Sequence, residues 1–429
     1  MCGVRGSSVQ TSRHGDMQPI YWVGGAVRDP LLGRIPNDWD IALEGDVREY
    51  AGCLARVVGG KALLLRHDHL EGYDVVRVTP SDGSRSFDVT AMYELDRSLA
   101  RSDLTINAMV VPLHIDPSLF AQPDTLRPSV VDPFGGIRDM EDRVIKAVPG
   151  QWLGASRMMR TIRLAVQYDF ELDPEAGEDI RGNAHTVRPF ASGKPHFLSA
   201  LRASRDGRAL RLMDELGLLR WPIVSYDRLR RSKRTWGFRL SASVDRLLVE
   251  DSICDGLRTH FARPVSEGVD RLTALKIAAL LIDMGLSHTD GKEVNDAMAG
   301  LALPQRVDGV IIKILRCHAD LLSALNGYGQ SLEGDILNQL SLRADSTVVD
   351  AAVLSLCALH ATGGREESIE AARRTLRLLT ESLPEKTVSK SPSPGIVQLV
   401  DEARGQALSA LRLMSSARGI SDVRDGTQC

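Results

Sequence analysis

A change of periodicity near residue 148 constrains the fold more than any other feature of this sequence. Ahead of it, the apolar runs "PIYWV", "WDIAL", "DVVRV" and "SFDVT" read as strands, separated by Gly-rich turns and short helical patterns. Beyond Pro149 strands all but vanish and helical spacing takes over. In "RALRLMDELGLL", for example, Ala209, Leu212, Met213, Leu216 and Leu219 fall on one stripe. A chain of 429 residues is also too long for one ordinary core. The pattern predicts an α+β protein: a small mixed-sheet head at the N-terminus, then an all-helical neck, body and tail.

The expected boundaries follow from the punctuation. Residues 1–18 read as a flexible leader, since "MCGVRGSSVQTSRHGDM" has no apolar core and is no signal peptide. Residues 19–148 form the head, 149–222 the neck and 223–383 the helical body. A loop rich in Ser, Pro and Lys, "PEKTVSKSPSPG", opens the last segment, 384–429. The net charge of −3 advertises no global basic field, so any nucleic-acid site must be a local patch. The six cysteines are scattered without metal-type spacing, which reads as reduced thiols. No apolar run reaches membrane-spanning length. A soluble, cytoplasmic protein with no membrane partner is expected.

Within the head, "YWVGGAVRDPLLGRIPNDWDIALEGD" holds the candidate chemistry. A strand "IYWV" ending at Gly24-Gly25 and followed by a short helix lets backbone N–H groups approach a phosphate closely. Arg28, one turn on, would complete an anion site. Alone, a Gly-Gly turn is only a turn. The segment "NDWDIA" adds Asp38 and Asp40, two apart on a strand and so projecting to one side, with Trp39 opposite. Such a pair repels itself unless a cation intervenes. Mg²⁺ accepts this arrangement, sharing carboxylates with substrate phosphates. A third acid is expected on a neighbouring strand, and "SFDVT" supplies Asp88. A phosphate cradle beside three convergent acids suits two-metal phosphoryl transfer.

These residues bring a family resemblance into view. "VGGAVRDPLLGRIPNDWDIA" resembles, almost position for position, the catalytic signature of the bacterial tRNA nucleotidyltransferase (CCA-adding) and poly(A) polymerase family, class II. "LARSDLTINAM" (99–109) resembles its ribose-contacting segment and "DPFGGIRDMEDRVIKAV" (132–148) its hinge. "RMMRTIRLAVQYDFELDP" (157–174) resembles its base-reading helix. The resemblance covers roughly residues 20–220. It implies a nucleotidyltransferase head that adds C and/or A residues to a tRNA 3′ end, using two Mg²⁺ ions with CTP and/or ATP. Asp38 and Asp40 would hold the metals, with Asp88 as third carboxylate. Gly24, Gly25 and Arg28 would hold the triphosphate, Asp103 would lie by the ribose 2′-OH, and Arg157 would present its guanidinium to the base. Arg157, Arg160 and Arg163 recur every three residues, a ridge that on spacing alone reads more readily as a solvated helix face. The tRNA acceptor end is the implied partner.

The sequence departs from the family pattern in several places. Leu153 and Gly154 stand where the base-reading helix normally opens with Glu-Asp. Losing such a base contact removes about 1–3 kcal/mol of discrimination. Ser102 stands where relatives carry a second arginine. Only fourteen residues, "VTAMYELDRSLARS", separate Asp88 from Asp103, a span that suits partial CC- or A-addition. In the body, "TALKIAALLIDMGL" resembles the helix bearing the His-Asp pair of a fused phosphohydrolase, but the pair reads Ile282-Asp283. Phe238 and Arg239 stand where an upstream metal-binding His is expected, so the body reads as an eroded HD-like domain. His67 and His69 in "RHDHL" read as an exposed strand end or loop. Arg228, Arg230, Arg231, Lys233 and Arg234, with Trp236 beyond, form the best local signal for RNA phosphates. A poly(A) polymerase is the alternative enzyme, though "MSSARGISDVRDGTQC" is not that group's long basic tail. A catalytically weakened paralogue that binds RNA ends is the alternative outside catalysis. Which nucleotides are added, and the oligomeric state, stay open.

Overall fold

The strand runs of the head assemble into one mixed sheet of six strands, in the order β3-β4-β5-β2-β1-β6. Their ranges are β1 Ile20–Val23, β2 Trp39–Leu43, β3 Lys61–Arg66, β4 Val75–Thr79, β5 Phe87–Ala91 and β6 Val110–Pro112. β2 and β5 pair in parallel, and every other pairing is antiparallel. The computed structural model describes residues 19–66, 74–151, 154–187, 192–224, 226–228, 237–250, 254–286, 291–328, 347–381 and 395–417. The expected leader, His67, His69, Leu153, Arg230, Arg231, Lys233, Arg234, Trp236 and most of the 384–395 loop lie outside those residues.

Alternation decides which face of each strand is buried. In β2, Trp39 and Ile41 are buried while Asp40 between them projects to the other side. Trp39 meets Trp22 of β1 with ring centroids 5.4 Å apart. Helix α1 (Gly25–Leu31) follows β1 directly. Its Pro30 sits in the last turn, and the helix ends one residue later. Helix α2 (Val47–Val57) begins at Asp46, whose side chain accepts from the N–H groups of Arg48 and Glu49. Val47, Tyr50, Ala51, Leu54 and Ala55 form its buried face.

The chain divides into two compact units. Among described residues, the first holds the chain up to Asp142, then Ala147–Gln151, and also the distant helix Ile396–Ala417. That helix lies along α2. Val400, Ala403, Ala407, Ala410, Leu411 and Met414 form its buried stripe, and the Tyr50 hydroxyl donates to the Ala407 carbonyl at 3.0 Å. Small alanines let the two helices approach closely.

The second unit holds Arg143–Lys146 and the described residues between 154 and 381. It is helical apart from two short strand pairs, Val144–Ile145 with Glu171–Leu172 and Pro264–Ser266 with Val269–Asp270. Its centre is built on Arg239–Glu250, Arg271–Asp283, Gln305–Tyr328 and Thr347–Thr362. The α+β class expected from the sequence is the class observed. No helix among the described residues is long and apolar enough to cross a membrane. Cys53, Cys317 and Cys357 are free thiols and buried.

Candidate active site

Strand register brings the acids of the head together. Asp40 on β2 is the parallel partner of Asp88 on β5, and Asp88 is the antiparallel partner of Arg77 on β4. One row across three strands therefore reads Asp40, Asp88, Arg77. Asp38 precedes β2 by one residue and joins the row through Arg77. The Arg77 guanidinium donates from Nε and Nη2 to the two carboxylate oxygens of Asp88, each at 2.7 Å, and from Nη2 to Asp38 Oδ2 at 3.2 Å.

Asp40 faces the glycine turn. Gly24 sits at φ 54° and ψ −120°, a backbone conformation that a side chain resists. This turn lets the Gly25 N–H donate to Asp40 Oδ2 at 3.0 Å. A Cβ at Gly25 would stand 2.9 Å from that same oxygen, so a side chain there would push the Asp40 carboxylate aside. The Gly25 donor is thus directed at a carboxylate. Burial, reinforced by the facing Asp88, pushes the Asp40 carboxyl up to about 7, against the pull of Arg28 and the Gly25 N–H. Burial also raises Asp38, and Arg77 pulls it back. The hydrogen bonds to Asp88 hold the Arg77 proton more firmly still.

Arg28 is buried, and its guanidinium is held by Asp29 at 2.8 Å and by the Asn107 side-chain oxygen. The Asn107 amide donates in turn to Asp103 Oδ1 at 2.9 Å, and the Leu104 N–H donates to the same oxygen at 3.0 Å. Asp103 and Arg28 are thus two ends of one chain through Asn107. The "DPFGGIRDM" segment braces that chain from below. Asp132 accepts from Gly136 and Ile137 at the start of the Gly136–Glu141 helix, and Thr105 donates to buried Asp139 at 2.7 Å. Gly136 lies so close to the Thr105 carbonyl that a Cβ would stand 2.4 Å from its oxygen.

Gly24, Gly25, Arg28, Asp38, Asp40, Asp88 and Asp103 therefore share one neighbourhood in the first unit. Arg77 and Asn107 belong with them, and sequence reasoning passed over both. Arg77 had a signal: it is a cation in mid-strand, alternating with Val76 and Val78, which are buried. Asn107 stood inside a quoted motif without a role.

The other candidates lie in the second unit. Arg157, Arg160 and Arg163 are half-buried on the Ala155–Tyr168 helix, whose opposite face buries Met158, Met159 and Ile162. Gly154 is the N-cap of that helix, and no acid occupies its first turn. Arg228 lies 3.8 Å from Glu293 and is exposed. Asp283 caps another helix: its carboxylate accepts from the N–H groups of Leu240 and Ser241 and from the Ser241 hydroxyl at 2.7–3.0 Å.

Among the described residues, no three His, Cys, Asp or Glu side chains are grouped as a ready-made metal cage. The head donors nonetheless fit a hard divalent cation. Mg²⁺ is ordinarily held by one or two carboxylates completed by substrate phosphates and water. Asp38 and Asp40 supply that pair, both carboxyls lie above their ordinary range, and a guanidinium already stands among the acids.

Known proteins resemble this chain in its N-terminal head and in its fold. Residues 20–146 match the Poly A polymerase head domain family. A Multifunctional CCA protein of Polaromonas naphthalenivorans is 37% identical over 166 residues, covering 36% of this chain and 38% of that protein. Another, from Paracidovorax citrulli, is 34% identical over 283 residues, 63% of this chain and 62% of its own. The chain spans less than two thirds of the length of both. The fold of a Thermotoga maritima CCA-adding enzyme complexed with tRNA superposes with a TM-score of 0.55, covering 95% of this chain and 88% of that one. At 19% identity that likeness concerns the fold alone.

Proposed function

We propose, from the premise that this chain belongs to the bacterial CCA-adding and poly(A) polymerase family, that it extends the 3′ end of tRNA with C and/or A residues in the cytoplasm. The observation carrying this reading is the row Asp40–Asp88–Arg77 with Asp38 beside it, set against the Gly24–Gly25 turn. Asp38 and Asp40 would hold two Mg²⁺ ions. Bound there, such ions lower the pKa of an attacking 3′ hydroxyl and neutralise charge on a transferring phosphate.

The chain's own residues do the rest. Asp40 is oriented by the Gly25 N–H, so the turn that would meet the triphosphate also fixes a metal ligand. Arg28, anchored by Asp29 and Asn107, is a preorganised positive charge for the phosphates. Asp103 shares the Asn107 anchor, which would couple the placement of ribose to that of phosphate. Arg157 and Arg160 would meet the base, and Arg228 with the cluster up to Arg234 would meet RNA phosphates, with salt-sensitive affinity.

One observation keeps a second reading in view. The Ala155–Tyr168 helix begins without an acid, as expected of a weakened paralogue that binds RNA ends. A single experiment separates the two, and poly(A) synthesis as well. Purified protein is incubated with tRNAs ending before the first C, before the second C and before A, with each NTP singly. We expect incorporation of CTP or ATP on at least one of them, and its loss in Asp38→Asn and Asp40→Asn. RNA binding without incorporation favours the paralogue, and unlimited ATP addition on any RNA favours the polymerase.

A further inference from the structure

Arg77 makes two unequal contacts. Its fork on Asp88 is bidentate, with both distances at 2.7 Å, and joins direct partners across β4 and β5. Its reach to Asp38 is single and longer, 3.2 Å, between side chains that are 37% and 40% exposed. Asp88 is better shielded, at 18%. A guanidinium is never deprotonated in a protein, so its claim on these carboxylates persists at every working pH.

We propose that Arg77 is a resident counter-cation of the carboxylate site. It competes with divalent metal for Asp38, yields Asp38 when metal enters, and stays on Asp88 throughout. Arg77 is then a positioning residue with two effects. It sets the concentration at which metal binds, and it keeps both Asp88 oxygens engaged, so that Asp88 steers the guanidinium and does not bind metal directly. The inference rests on the reading of Asp38 and Asp40 as the metal pair.

The test uses the full chain and Mn²⁺ alone, without nucleotide or RNA, following the free-ion electron paramagnetic resonance signal. Removing a positive charge beside the ion should tighten binding, so Arg77→Gln is expected to lower the Mn²⁺ Kd by about tenfold. Arg77→Lys keeps a competing charge and should stay within about threefold of wild type. Millimolar guanidinium ion should weaken binding to Arg77→Gln and leave wild type unchanged. A folded Arg77→Gln protein whose Mn²⁺ affinity is unchanged or weaker overturns the inference alone. Wild-type binding that survives Asp40→Asn overturns the metal pair, and the inference with it. A Mg²⁺ titration of ¹⁵N-labelled wild type requires no variant at Arg77. Its Nε–H resonance should shift with the binding midpoint and stay protected. A resonance that ignores Mg²⁺, or is lost to solvent exchange, sinks the proposal.

Discussion

At Asp40, burial and a facing carboxylate work against a glycine N–H and a buried arginine, and the first pair prevails. The carboxyl stands at about 7 against an unfolded value of 3.8. An acid that holds its proton more tightly when folded adds stability below its unfolded pKa. That contribution is lost as pH rises through the folded pKa. In chelator, the melting temperature should therefore fall between about pH 4 and pH 7 more steeply in wild type than in Asp40→Asn. Added Mg²⁺ should flatten the wild-type slope. Equal slopes in chelator would show that Asp40 titrates normally. Gly154 supplies a second prediction at this scale. As an N-cap it satisfies no N–H of the Ala155–Tyr168 helix, and Asp there would improve helix stability by only a few tenths of a kcal/mol. If the acid also reads the amino group shared by C and A, Gly154→Asp should sharpen CTP or ATP preference over UTP and GTP by roughly ten- to a hundred-fold in kcat/KM. A small rise in melting temperature with unaltered selectivity would confine the position to capping.

Single elements show how much of the molecule its sequence disclosed. β1, β2, β4 and β5 were legible because each is a short, largely apolar run of four or five residues bounded by turn residues. β3 was not, because Leu63, Leu64 and Leu65 are all exposed on an edge strand and show no period. β6 is only three residues long. The acids could be named in advance, whereas the Arg77–Asp88 fork depends on strand register, a non-local property no single segment encodes. Asp283 shows the converse. The sequence leads us to expect no hydrolase chemistry there, and the structure adds an occupation for it, capping the Arg239–Glu250 helix with three hydrogen bonds. Asp283→Ala should therefore lower stability by about 1–3 kcal/mol in urea unfolding, by leaving those donors unpaired. No phosphodiesterase activity should appear or vanish with Ni²⁺, Mn²⁺ or Mg²⁺. Hydrolysis of 2′,3′-cyclic nucleotides that depends on Asp283 would refute this account.

Taken as a whole, the molecule closes its first unit with a distant segment. Helix Ile396–Ala417 covers the face of α2 that Tyr50 occupies, and Tyr50 is fully buried there. Deleting that helix should expose this apolar face, lower the melting temperature of the head and raise binding of a hydrophobic dye. Supplying residues 395–417 as a separate peptide should reverse both effects. Tyr50→Phe, which removes one buried hydrogen bond and keeps the ring, should cost only about 0.5–1.5 kcal/mol. A head whose melting is indifferent to the deletion would show that the helix adds nothing to it.

The same closure sets a clock on biosynthesis. About 340 residues separate the end of α2 from the start of its covering helix, which ribosomes translating at roughly 5–20 residues per second need some 20–70 s to supply. Throughout that interval the emerging head carries an uncovered apolar face, a natural handle for chaperones. A message broken late in its reading frame would yield a chain holding every acid of the candidate site, yet with that handle still exposed to cellular quality control.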